Sequence, residues 1–139
     1  MVILGISAFV HDSAACLIIN GKVVANVEEE RFDRIKHTSA FPVRAIDYVL
    51  KQGKIRLADV DVIAYNWNPY KSAVTEAIKL VMAPIIYFKI LKHARPPKNF
   101  RSIAASLRLK KTIHRIYPGE FRGRVIFVSH HLAHAASSY

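Results

Sequence analysis

Ser13-Ala14-Ala15-Cys16-Leu17-Ile18-Ile19-Asn20-Gly21-Lys22-Val23-Val24-Ala25-Asn26-Val27-Glu28 is a pair of apolar runs joined by Asn20-Gly21. Asn-Gly between two such runs is a strong hairpin signal, because both central positions of a type I′ turn need positive φ. Residues 2–8, Val-Ile-Leu-Gly-Ile-Ser-Ala, precede it as a further apolar, β-branched run. A loop, Phe9-Val10-His11-Asp12, separates the two parts. The chain is therefore expected to open as a three-stranded antiparallel meander over 2–8, 13–19 and 22–28.

Glu28 to His37 is charge-dense and reads as a short helix or loop, with Glu28-Glu29-Glu30 as a solvated face. Pro42 introduces a helix at about 42–53, since proline suits a first helical turn. Ala45, Ile46, Val49 and Leu50 fall at helical spacing, and Gly53 fits the stop. Val60 to Tyr65 reads as a strand and Asn68-Pro69 as a turn, with Tyr65, Trp67 and Tyr70 as edge packing. A helix over 71–92 kinks at Pro84, Arg95-Pro96-Pro97 breaks the chain, and 100–116 is a basic helix. Pro118-Gly119 turns into a strand at 124–129, and a helix begins at 130. The order β-β-β-α-β-α-α-β-α points to an α/β domain, a mixed sheet with helices on its faces. The sequence contains no internal repeat and no low-complexity segment.

The 139 residues suit one domain with a real core, 52% of them hydrophobic. Val81 to Phe88 is the nearest thing to a membrane span, but it is short and contains Pro84. Met1-Val2-Ile3-Leu4 lacks the basic flank of a signal peptide, and the single Cys16 reads as a buried core thiol. These features favour the cytoplasm. The net charge of +11 is concentrated: no acidic residue occurs from Ala77 to Gly119. That stretch suits phosphate, RNA, an anionic membrane or an acidic surface of another domain. Nucleic acid is disfavoured, because no RNA-binding signature is present and aromatics do not interleave with the cations.

The tail is rich in metal-ligating chemistry. Ser129-His130-His131-Leu132-Ala133-His134-Ala135 places three of the seven histidines within five positions. On a helix, His130 and His134 are i and i+4 and share a face, a spacing that holds one divalent ion between two imidazoles. The competing reading is a helix-capping or core histidine cluster. Two ligands do not complete a metal site.

Two stretches together resemble one family. They are Ile3-Leu4-Gly5-Ile6-Ser7 with His11-Asp12-Ser13-Ala14-Ala15-Cys16-Leu17, continuing into Glu28-Glu29-Glu30-Arg31-Phe32, Arg34-Ile35-Lys36-His37 and Phe41-Pro42, and the tail Ser129 to Ala135. In this order they resemble the amino-terminal part of the O-carbamoyltransferases of the nodulation and antibiotic-tailoring type. The resemblance runs from residue 2 to the end and is weakest through 70–120.

The resemblance implies more than the residues alone do. It implies the first subdomain of an actin/Hsp70-like (ribonuclease H-like) fold. The rest of that Kae1-like domain, and a following YrdC-like domain, would lie outside this sequence. It implies formation of a carbamoyl-adenylate from carbamoyl phosphate and ATP, then transfer of the carbamoyl group to a hydroxyl of a small-molecule acceptor. It implies a divalent metal, iron, held by His130 and His134 with a downstream aspartate as third ligand. His131 then reads either as a nucleotide contact or as cover for the helix end.

At the head of the chain, His11 is the candidate general base for the acceptor hydroxyl, since imidazole titrates near operating pH. Asp12 would orient that ring or contact the acceptor. The bland alternative is an Asx-type turn with His11 merely exposed. Lys36 and His37 are candidate substrate-binding residues. On this reading the 139 residues alone transfer no carbamoyl group and expose apolar surface that promotes self-association. Two other functions compete: a basic nucleic-acid- or membrane-binding module with structural histidines, and a threonylcarbamoyl-transferase relative acting in tRNA modification.

Overall fold

The turn at Asn20-Gly21 has φ of 51° and 79°, both positive as a type I′ turn requires. The computed structural model describes residues 1–82 and 98–129. In it this turn joins β2 (Ala14–Ile19) to β3 (Lys22–Glu28), and β1 (Val2–Ser7) pairs antiparallel with β2. The expected meander is thus present. Two further strands add beyond β1 and both run parallel to it: β4 (Val62–Tyr65), then β5 (Arg124–Phe127). The result is a five-stranded mixed sheet in the order β3-β2-β1-β4-β5.

Strand register builds the core. Leu4 stands opposite Leu17 and Ile63, and Ile6 opposite Ala15 and Tyr65. Side chains alternate faces along a strand, so all six share one face, and all six are buried. Helix α2 (Val43–Gly53) packs across β2 and β3, bringing Ala45, Ile46, Val49 and Leu50 into that core. Leu109 and Ile113 of α5 (Leu109–Ile116) join the same cluster. Each fully buried Leu or Ile contributes about 1.5–3 kcal/mol of transfer free energy. The opposite face carries Gly5 beside Cys16 and Ala64. Cys16 is therefore only half-buried and lies on the face away from this core, which corrects its reading as a core thiol.

The start of α2 depends on a distant residue. Pro42 is its N-cap and offers no side-chain acceptor. The carboxylate of Glu29 takes that role, accepting the backbone N–H of Arg44 at 3.2 Å and of Ala45 at 2.8 Å. The positive end of the helix dipole favours an anion there. Glu29 is 5% exposed, so the acidic run is not wholly a solvated face. It leads into α1 (Glu30–Asp33), a single turn of helix. At the other end of α2, Lys54 takes the left-handed conformation that stops the helix. Gly53 serves packing instead: a Cβ there would run into the Leu17 side chain.

Asn68-Pro69 is not a free turn but the start of α3 (Pro69–Met82). The Asn68 Oδ1 accepts the N–H of Tyr70 at 3.1 Å and of Lys71 at 3.2 Å, with proline at the first helical position. Pro84 and Arg95-Pro96-Pro97 lie outside the described residues. The basic stretch expected as one helix is two, α4 (Lys98–Leu107) and α5, separated at Arg108. Ile103 and Ser106 of α4 are buried outside the main core cluster, which Leu109 and Ile113 of α5 join. No helix among the described residues is long and apolar enough to cross a membrane.

Candidate functional site

Residues 8–13 rise from the carboxyl end of β1 and return into β2. Three backbone hydrogen bonds seat this loop: Phe9 N–H to Ser39 O at 3.0 Å, Ser13 N–H to Thr38 O at 3.0 Å, and Glu29 N–H to Ser13 O at 2.8 Å. The segment 37–39 thus lies along the loop. Phe9, Asp12 and His37 all have positive φ, at 69°, 48° and 55°. Such a backbone is uncommon for non-glycine residues and costs on the order of 1 kcal/mol each, so the tertiary contacts must hold it. The Phe9 ring stacks on Phe41 with centroids 6.0 Å apart.

This arrangement brings two imidazoles onto one carboxylate. The Nδ1 of His11 lies 2.8 Å from Oδ2 of Asp12, and the Nδ1 of His37 lies 2.7 Å from Oδ1. An ionised carboxylate only accepts, so both Nδ1 atoms carry hydrogen. In each neutral ring Nε2 is then the basic nitrogen. The His37 backbone N–H donates to Glu30 Oε2 at 3.1 Å. Hydrogen bonds from His37 and then His11 hold the Asp12 carboxyl below its ordinary value. The same bond from Asp12 raises the His37 pKa above its ordinary value, with the Asp12, Glu30 and Glu28 charges acting in the same direction.

A second element fixes this loop from beneath. Tyr65 is fully buried, and its hydroxyl donates to the Ala8 carbonyl at 2.7 Å. The hydroxyl has one hydrogen, so Ser106 Oγ, 2.8 Å away, must donate to the Tyr65 oxygen. Burial pushes the Tyr65 phenol up to about 12. One turn earlier on α4, Ser102 Oγ donates to the Phe9 carbonyl at 2.7 Å. Tyr65 is thus a hub tying β4, the His11 loop and α4 together, not edge packing.

Two cavities flank His11. One, about 600 Å³, opens at the carboxyl ends of the parallel strands β1 and β4, between Ser7, Asn66, Trp67, Thr75 and Glu76. The other, about 700 Å³, lies among His11, His37, Ser39, Arg101 and Ser102. Crevices at the carboxyl ends of parallel strands are the usual ligand sites of α/β sheets.

Of the residues singled out in the sequence, the structure brings together His11, Asp12 and His37. Lys36 is exposed and lines neither cavity. His130, His131 and His134 lie outside the described residues. The parts played by Glu30, Tyr65, Trp67 and Arg101 have no local signal in the sequence, since their placement depends on packing between distant segments. Among the described residues, Asp12, Glu30 and His37 also offer metal-ligand atoms within 4.8 Å of one another. Their hydrogen bonds already account for that proximity, and no metal is assigned there.

The fold and this loop define an α/β domain that presents a carboxylate-bridged histidine pair at the carboxyl end of the sheet's central strand. The family described as carbamoyltransferase N-terminus matches residues 2–139, and the chain belongs to it. It is 35% identical to nodulation protein NolNO of Sinorhizobium fredii, over 96% of this chain and 18% of that protein. It is 33% identical to the uncharacterized protein sll1178 of Synechocystis sp., over 99% of this chain and 23% of that one. An uncharacterized 19.2 kDa protein from the syrM 5′ region of Rhizobium etli is 39% identical over 64% of this chain and 54% of its own length. The chain thus spans about a fifth of the length of the first two relatives.

Proposed function

We propose that this chain is the acceptor-side, amino-terminal part of an O-carbamoyltransferase, with His11 as the general base. The observation that carries the reading is the bond between His11 Nδ1 and Asp12 Oδ2, which leaves Nε2 as the basic nitrogen of the ring. Asp12 holds that tautomer and orientation. The acceptor hydroxyl attacks the carbamoyl carbon of a carbamoyl-adenylate, its proton passes to His11 Nε2, and AMP departs with the electrons of the broken C–O bond. Carbamoyl phosphate and ATP supply that adenylate. His37, on the other oxygen of Asp12, faces the substrate cavity.

The strand order supports an actin/Hsp70-like (ribonuclease H-like) subdomain: an antiparallel meander extended on its β1 side by parallel strands. β5 runs parallel to β4 and β1, so it ends at the same end of the sheet from which the His11 loop rises. That direction supports a tail whose His130 and His134 serve the same cleft and hold a divalent metal, with His131 toward the nucleotide. When bound, the metal would neutralise phosphate charge. The remainder of the Kae1-like domain and a YrdC-like domain belong to the same proposal.

The test is transfer of label from carbamoyl phosphate to hydroxylated acceptors, with ATP, by the enzyme that contains this chain. ATP-dependent O-carbamoyl product supports the reading. Carbamoyl phosphate turnover with no acceptor product under any acceptor overturns it.

A further inference from the structure

The cavity on the His37 side of His11 has a charged wall that the transfer step does not use. Arg101 lines it, and Ser102, its neighbour on α4, is bonded to the Phe9 carbonyl at 2.7 Å. Ser106, one turn further along, reaches the buried Tyr65 hydroxyl at 2.8 Å. Two adjacent turns of α4 are therefore fastened to the loop that carries His11, which fixes the helix that presents the exposed Arg101 to the cavity. Among the described residues the guanidinium has no ion-pair partner, and none of those lining this cavity carries a carboxylate. Asp12, the carboxylate behind the two histidines, has both oxygens occupied by imidazoles. Of the other polar groups there, the Ser39 hydroxyl is able to donate a hydrogen bond, while His37, its Nδ1–H held by Asp12, donates from Nε2 only when protonated.

We propose that this cavity is an oxyanion subsite anchored by Arg101, taking a carboxylate or phosphate group of a substrate while the hydroxyl to be modified sits at His11. A guanidinium matches either group bidentately, and no carboxylate among the described lining residues competes for it. This sets the substrate class: hydroxyl compounds carrying an acidic group, or the phosphate-bearing donor. Naming the occupant as a substrate rests on His11 being the base; anion binding itself does not.

The experiment follows the His11 and His37 ring C2–H resonances of the 139-residue protein during titration with inorganic phosphate and, separately, with acetate, at fixed pH and ionic strength. Arg101→Gln, Arg101→Lys and, as a control on another basic helix, Arg115→Gln are compared, with circular dichroism confirming that each is folded. Saturable shifts are expected, with binding weakened about tenfold in Arg101→Gln and less in Arg101→Lys. Arg115→Gln is expected to change it by no more than about twofold, since its charge acts only through screened distance. Response to both anions identifies a carboxylate-tolerant acceptor subsite; response to phosphate alone identifies a phosphate-bearing substrate. Absence of saturable shifts with either anion, or equal effects of Arg101→Gln and Arg115→Gln, overturns the subsite. Failure here leaves carbamoyl transfer untouched, and failure of transfer leaves anion binding untouched.

Discussion

His37 Nδ1 and Asp12 Oδ1 lie 2.7 Å apart although 25 residues separate them in the chain. The bond closes the 37–39 segment against the His11 loop and gives one carboxylate two imidazole partners. In Asp12→Asn the His37 pKa is expected to fall back toward the ordinary imidazole value, because its largest upward influence is gone. A histidine C2–H titration measures this. An unchanged His37 midpoint in the variant contradicts the pairing.

The same bond sets a pH dependence of stability. The raised His37 pKa stabilises fully below about 6.5, the unfolded value, and that contribution is lost as pH rises through the folded pKa. The lowered Asp12 pKa stabilises above about 3.9, and that contribution is lost as pH falls through its folded value. Both are complete between those two limits. Urea midpoints of the parent and Asp12→Asn should differ most strongly inside that window, and the difference should shrink as pH rises through the folded His37 pKa, to the part that Asp12 alone contributes. A difference that is constant with pH rules the linkage out.

Glu29→Ala removes the acceptor for two N-terminal amides of α2, leaving that of Ala45 buried and that of Arg44 part-buried without it. The expected loss is about 1–3 kcal/mol in urea denaturation. Glu29→Gln keeps one carbonyl acceptor and should lose less. Equal stability of Glu29→Ala and the parent means that water or another group takes over the cap.

Tyr65→Phe strips the hydroxyl from the hub and leaves the Ala8 carbonyl and the Ser106 hydroxyl without it. About 1–3 kcal/mol of stability is expected to go. Hydrogen exchange should also quicken at the Phe9 and Ser13 amides, whose bonds to Ser39 and Thr38 hold the loop. Faster exchange confined to α4 would detach the hub from the His11 loop.

The meander was legible because its signals are local: alternating apolar runs and an Asn-Gly turn that needs no tertiary help. Helix α2 was legible for the same reason, through Ala45, Ile46, Val49 and Leu50. Its cap was not, because Pro42 carries no acceptor and the carboxylate arrives from Glu29 across a turn. Asn68-Pro69 misled, since the same pair marks either a turn or a helix start, and the residues after it decide between them. The site was half legible. His11-Asp12 stood out as a loop between strands, but the joining of His37 to the same carboxylate depends on the 37–39 segment folding back. The roles of Tyr65 and Arg101 are invisible to any local pattern, because a buried hydroxyl and a cavity-lining cation acquire meaning only once β4 and α4 meet the loop.

The most direct test of the proposed role of His11 as the base is turnover of His11→Ala in the proposed O-carbamoyltransferase. Carbamoyl transfer to the acceptor should fall by about 10²–10⁴-fold, the usual worth of a positioned general base, while ATP-dependent consumption of carbamoyl phosphate continues. Transfer at the parental rate would contradict it and remove His11 from the reaction.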